Sequence, residues 1–232
     1  LIVLFGLFLG TARGLDDLNG RAGLRVGGAA QHLGQRALQH ARGQAVVIEQ
    51  QIEQRAFGDP PATAVAMGKR LYLRRPRVGD FEQWSQLRAQ SRAFLTPWEP
   101  SWPRDALTPE SFRRRVRRSA QEWREESGYG LFLVRLTDEA LLGGITLGAV
   151  RRGVAQTATL GYWLGAPYAR QGFMTEGVHC ALGFAFERLG LHRVEAACLP
   201  NNVASRTLLL KCGFREEGRA REYLKINGRW TD

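Results

Sequence analysis

The amino-acid sequence predicts an α+β fold: one mixed sheet of six to seven strands with helices on both faces. Three observations predict it. From residue 68 onward, short apolar or alternating runs of strand length are bounded by turn residues. Segments with apolar residues at i, i+3 and i+4 separate some of those runs. Elsewhere three strand-like runs follow one another directly, which is a meander and not a regular strand-helix alternation.

The first run, GKRLYLRRP at 68–76, alternates Leu71 and Leu73 with polar neighbours and predicts an edge strand. Helices are expected over 80–91 and 109–126, the second opened by Thr108 and Pro109. The rigid, aromatic loop FLTPWEPSWP separates them. The meander comprises 129–136, 141–150 and 156–165, with turns at 137–140 and 151–154. A helix over 175–189 carries Val178, Ala181, Leu182, Ala185, Phe186 and Leu189 on one face, and Gly190 stands where a C-cap is wanted. HRVEAACL at 192–199 reads as a buried strand. A short helix over 202–211 ends at Gly213, and 214–224 with an Asn227-Gly228 hairpin turn closes the list of elements.

Residues 1–66 read differently. LIVLFGLFLG resembles the apolar part of a secretory signal, but no basic segment precedes it and no clean cleavage site follows, so it is discounted as one. Residues 11–66 are rich in Gly, Ala, Gln and Arg, with a possible helix at 44–55 and a Pro-bearing linker, FGDPPATAVA. The folded domain is therefore expected over 67–232, beginning near Met67, with 1–66 an appendage or linker. The alternative is a helical extension packed on the domain, which would resist cleavage before Met67.

Charge divides the same way: of the formal +11, residues 1–66 hold six Arg against five acids and the remainder carries +10. Such a field attracts phosphates, acidic peptides or nucleic acid. Its densest patch is Arg113, Arg114, Arg115, Arg117 and Arg118, either a solvated helix face or a contact for ribosomal RNA or an acidic partner. No run approaches the ~20 apolar residues of a membrane span, so no membrane association is expected. Cys180, Cys198 and Cys212 lack CxxC spacing and read as reduced core residues of a cytoplasmic protein. With only His179 and His192 in the domain, no metal is expected.

The chemistry concentrates at GYWLGAPYARQGFMTEG, residues 161–177, where a strand passes through a Gly-bearing turn into a helix. Amides at a helix N-terminus point one way and the dipole adds positive charge, so the joint is either a plain turn or a cradle for pyrophosphate. Gly172 lets a ligand approach the backbone and Arg170 adds a cation. GxGxxG and GxxxxGK are missing, which argues against dinucleotide or Walker-type binding. In PNNVASRTLLLKCGF, Asn202 can cap a helix while Ser205 and Leu209 follow on one face.

These stretches, with FLTPWEPSW, LGLHRVEAACLPNNVASRTLLLKCGFREEG and REYLKINGRW, resemble the GNAT N-acetyltransferase superfamily, and within it the ribosomal-protein alanine N-acetyltransferases. The resemblance covers about residues 69–232. It implies that acetyl-CoA is the co-substrate and that the acceptor is a protein N-terminus, most simply alanine of a ribosomal protein. It also implies a cytoplasmic enzyme, monomer or homodimer, acting by direct attack in a ternary complex.

The family's pyrophosphate loop has Arg or Gln first, Gly fourth, and Gly or Ala sixth; it falls on Ala169, Arg170, Gln171, Gly172, Phe173 and Met174, departing at Ala169 and Met174. Thr175 extends it. Trp163 and Leu164 would pair with the pantetheine arm on a strand that splays from its neighbour, and Asn202 would bond that arm from the far side.

Many relatives place a Tyr acid where this chain has Leu209, so Ser205 is the candidate catalytic donor. The subfamily often places a Glu at Thr159; Glu99 is the replacement candidate for the base, against an ordinary surface carboxylate. Trp98, Trp102 and Tyr223 would line the acceptor entrance, or serve as core aromatics. Rival readings are a small-amine (antibiotic or polyamine) acetyltransferase of the same fold, and a non-catalytic module that binds RNA or the ribosome.

Overall fold

The computed structural model describes residues 2–8, 61–226 and 228–231. Its contacts group Leu1–Leu9 with Thr63–Asp232 as one unit; a second unit, Gly10–Ala62, lies almost wholly outside the described residues, as does the helix expected at 44–55.

The apolar runs of the first unit build one sheet from β1 (Ile2–Phe8), β2 (Ala64–Met67), β3 (Leu71–Arg74), β4 (Tyr129–Arg135), β5 (Leu141–Arg151), β6 (Thr157–Leu164), β7 (Arg193–Cys198) and β8 (Arg215–Ala220). Their order is β2-β3-β4-β5-β6-β7-β1-β8. β6 and β7 are parallel and the other neighbours antiparallel, so the sheet is mixed. A separate hairpin joins β9 (Leu224–Ile226) to β10 (Arg229–Thr231).

The helices are α1 (Phe81–Gln90), α2 (Arg92–Leu95), α3 (Pro109–Arg124), α4 (Phe173–Gly183) and α5 (Val203–Lys211). Strand alternation sorts the sheet into two apolar faces. On one, Leu131, Leu133, Ile145 and Leu160 pack with Val178, Ala181 and Leu182 of α4 and Leu209 of α5. On the other, Tyr72, Phe132 and Val134 pack with Trp84 and Leu87 of α1 and Phe112 of α3. Burying each large side chain contributes about 1.5–3 kcal/mol. Helix α4 sits close because Gly177 offers no Cβ; one there would come 2.6 Å from Leu133 Cδ2.

Two details differ from the sequence expectation. β3 is not an edge: β2 pairs outside it, and all four residues of β3 are buried. The strand Ala64–Met67 was hidden in what reads as the tail of a Pro-bearing linker. The expected strand over 214–224 breaks after Ala220, where Glu222 adopts a φ of 46° and turns the chain into the β9–β10 hairpin. Asn227 of that hairpin lies outside the described residues. The expectation that 1–66 stands apart from the fold concerns mainly residues outside the described set; within that set, Ile2–Phe8 and Ala64–Met67 are strands of this sheet.

Candidate functional site

β6 and β7 pair from Thr157↔Arg193 to Leu160↔Ala196 and then part. Beyond that point β6 continues to Leu164 against β5 alone, while β7 continues to Cys198 against β1. A parallel pair that opens in this way exposes backbone N–H and C=O groups along one strand edge, ready for an extended ligand arm. Trp163 and Leu164 lie on that open edge.

At the end of β6 the chain makes a short 3-10 turn, Ala166–Tyr168, anchored where the Ala166 amide donates to Ser91 Oγ at 2.8 Å. Arg170 and Gly172 then adopt left-handed φ values of 62° and 80° before α4 begins at Phe173. The first turn of a helix leaves amides without intrahelical partners, and Gly172 supplies no side-chain cap. The amides around Phe173, Met174 and Thr175 therefore form a concave donor set suited to an anion. Arg170, Gln171 and Gly172 are exposed, whereas Phe173 and Met174 are buried anchors of α4, so their contribution is backbone.

Arg70 braces this turn from the start of β3. Its Nη1 donates to the Gln171 carbonyl at 3.0 Å, its Nε and backbone amide donate to Glu176 at 2.9 and 2.7 Å, and its guanidinium lies 4.5 Å from the Phe173 ring centroid.

Across the splay, Asn202 caps α5: its Oδ1 accepts from the Ser205 amide at 3.0 Å. That is the capping role. Ser205 Oγ lies 2.6 Å from the Tyr162 hydroxyl. Burial pushes the Tyr162 phenol well above its ordinary value, opposed by the Ser205 hydrogen bond, so it stays protonated. Leu209 is fully buried core. Burial also pushes Cys198 up, and Cys180 and Cys212 to about 11; all three are thiols at neutral pH.

Glu99 accepts from both Arg88 guanidinium ends at 2.7 Å and from Trp102 Nε1 at 2.8 Å. The same guanidinium lies 4.3 Å from the Trp102 ring and 4.9 Å from that of Trp163. Loop 96–102 is thereby tied to β6. Trp98 is half-buried beside it, and Tyr223 is exposed on the small hairpin. Thr159 is exposed on the α1/α3 side of β6. Tyr162, Arg88 and Arg70 were not singled out from the sequence: Tyr162 and Arg70 meet partners 43 and 106 positions away, and Arg88 joins Glu99, 11 positions on, to Trp163 on β6. Among the described residues no cluster of His, Cys, Asp and Glu is arranged to hold a metal, and no helix is long and apolar enough to cross a membrane.

The family described as Acetyltransferase (GNAT) domain matches residues 70–215. The chain belongs to the GNAT acetyltransferase family. As a GNAT protein it is an N-acetyltransferase, and its α+β fold is the family's. It is 35% identical over 165 residues to the probable N-acetyltransferase YjcK of Bacillus subtilis, covering 71% of this chain and 91% of that protein. It is 29% identical over 157 residues to the [ribosomal protein uS5]-alanine N-acetyltransferase of Escherichia coli, covering 67% and 81%. Among solved structures it resembles Mycobacterium smegmatis RimJ in complex with CoA-disulfide at 30% identity and a TM-score of 0.66, covering 69% of this chain and 78% of that one.

Proposed function

We propose that this GNAT protein transfers acetyl from acetyl-CoA to a protein N-terminal α-amino group, with alanine of a ribosomal protein as the acceptor. The observation that carries this reading is the opening between β6 and β7 with a brace-held turn of free amides at its mouth. Its support from relatives is the alanine acetyltransferase of E. coli and the CoA-bound mycobacterial structure.

In this reading the amides of Gln171 to Thr175 and the Arg170 side chain hold the pyrophosphate. The open edge at Trp163 and Leu164 pairs with the pantetheine arm, and the Asn202 amide bonds it from the far side. The acceptor amine attacks the thioester carbonyl carbon; the C–N bond forms, the C–S bond breaks, and the amine's surplus proton passes to solvent.

The leaving sulfur gains charge as the bond breaks. In this reading Ser205 donates to it a hydrogen bond that strengthens in the transition state, which assigns the donor role in the 2.6 Å Tyr162–Ser205 contact, open to either hydroxyl, to Tyr162. This reading has no covalent acyl-enzyme: burial pushes all three Cys above their ordinary value, which disfavours the thiolate that would be the nucleophile.

An α-amino group has a pKa of ~7.7–8.0, so a substantial fraction is neutral without a strong base. Thr159 fits that requirement. Glu99, with both oxygens engaged by Arg88 and Trp102, acts as the clamp of the acceptor loop and not as the base. Trp98, Trp102 and Tyr223 border the acceptor entrance.

Thiol release from acetyl-CoA with an Ala-starting peptide, with a polyamine and with no acceptor tests the reading. Peptide-dependent release supports it; polyamine-dependent release replaces it with a small-amine enzyme. Mass spectrometry of ribosomal-protein N-termini with and without this protein then identifies the acceptor.

A further inference from the structure

On the sheet face toward α1 and α3, a nearly bare row crosses three strands. Gly130 on β4 pairs with Thr146 on β5, which pairs with Gly161 on β6. The adjoining row pairs Gly148 with Thr159. Thr146, Thr159 and Gly161 are all exposed, so this face forms an open trough. Under α3 it deepens to a cleft of about 240 Å³ walled by Arg115, Arg118 and Ser119 above and by Trp84 and Trp163 at its sides. At the other end, Gly161 is the first residue of β6 beyond its last pairing with β7, so the trough opens on the splay.

Helix α3 divides its arginines by direction. Arg113 and Arg114 pair outward with Glu110 and Asp105. Arg118 is 3.9 Å from Glu122 with 70% of its side chain exposed, a weak contact. Arg115 forms no salt bridge among the described residues; its guanidinium lies 5.6 Å from the Trp84 ring. Ser119 Oγ is buried with no hydrogen-bond partner, and a Cβ on Gly130 would come 2.7 Å from it. Arg115 stays exposed at the cleft mouth; desolvation first, and the Arg88 and Arg118 cations next, push its guanidinium below its ordinary value, opposed by the Glu99 carboxylate. Arg115 thus has no salt-bridge partner among the described residues and Ser119 Oγ no hydrogen-bond partner, which leaves room for an anionic, hydrogen-bonding group.

We propose that this trough holds the residues that follow the acceptor's N-terminal amine, and that Arg115 and Ser119 select an acidic side chain there. The proposal rests on the protein N-terminus as acceptor. Strands lie ~4.8 Å apart and an extended chain advances ~3.4 Å per residue, so crossing from β6 to β4 takes about three residues. The acid is therefore expected at about the fourth position of the acceptor.

The test compares Ala-Gly-Gly-Glu, Ala-Gly-Gly-Gln and Ala-Gly-Gly-Lys peptides, each with the same neutral tail, by thiol release and by calorimetric binding to the full chain. The Glu peptide is expected to exceed the Lys peptide about tenfold in kcat/KM, as for a charge-assisted hydrogen bond. Arg115→Gln should bring the ratio toward one, and Arg115→Glu should favour the Lys peptide. Equal kcat/KM for the three peptides, or an unchanged ratio in Arg115→Gln, overturns the trough while leaving N-terminal acetylation standing. If no peptide is acetylated, the N-terminal reading fails; the calorimetric order of the peptides then decides the trough, with equal affinities overturning it.

Discussion

At the residue scale, the proposed chemistry depends on one hydrogen bond, Tyr162 to Ser205, that no local pattern announces. Ser205 was legible as a polar residue one turn before Leu209, and its partner was not, because 43 residues separate them. A hydroxyl whose oxygen already accepts a hydrogen bond donates more strongly. Ser205→Ala should therefore lower kcat about tenfold or more with a smaller change in KM, and Tyr162→Phe should do part of the same. Combined, they should cost less than the sum of their separate effects, since both act on one sulfur. Additive losses in steady-state kinetics would separate Tyr162 from Ser205.

Glu99 makes the opposite case at the same scale. Its carboxylate and Arg88 are 21% and 12% exposed, between a surface pair and a buried one. Glu99→Gln should cost about 1–3 kcal/mol, read as a lower Tm, with KM for the acceptor raised and kcat nearly retained. A collapse of kcat at unchanged Tm would restore Glu99 as the base.

At the element scale, the strand-turn-helix joint was the most legible part of the site, because Gly172 marks a left-handed position and the apolar period restarts directly after it. Its brace was not legible. Arg70 reaches the turn across the fold, and only the sheet order brings β3 beside α4. At Gly172 a Cβ would lie 3.3 Å from Arg70 Nη2, at a φ of 80° that costs an L-residue about 1–2 kcal/mol. Gly172→Ala is accordingly expected to lower Tm by a few degrees and to raise KM for acetyl-CoA several-fold, leaving KM for the acceptor little changed. Arg70→Ala, which keeps the glycine and removes the brace, should raise the same KM without the backbone strain. Tight CoA binding by both variants in calorimetry would show that the turn is not the anion cradle.

At the scale of the whole molecule, the order of the sheet turns on β1. β8 pairs with β1 among the described strands, and β1 pairs in turn with β7. Ile2–Phe8 thus holds β8, and with it the connection from α5 to the β9–β10 hairpin, in the sheet. The sequence points elsewhere for a physical reason: an unbroken apolar run is what an inner strand looks like, and also what a secretory signal looks like. Periodicity, which separates other elements, is silent there. The expected start near Met67 and the pairing of β1 lead to different outcomes for the same variants. If β1 is an integral strand, a chain starting at Thr63 should melt at a lower temperature and lose acetyl transfer, since β8 would have no ladder partner. Leu4→Pro, which removes one ladder amide from an inner strand and leaves the rest of the chain in place, should lower Tm in the same direction. Undiminished Tm and kcat in both would place the start of the folded unit near Met67 and make β1 an accessory to a sheet that stands without it.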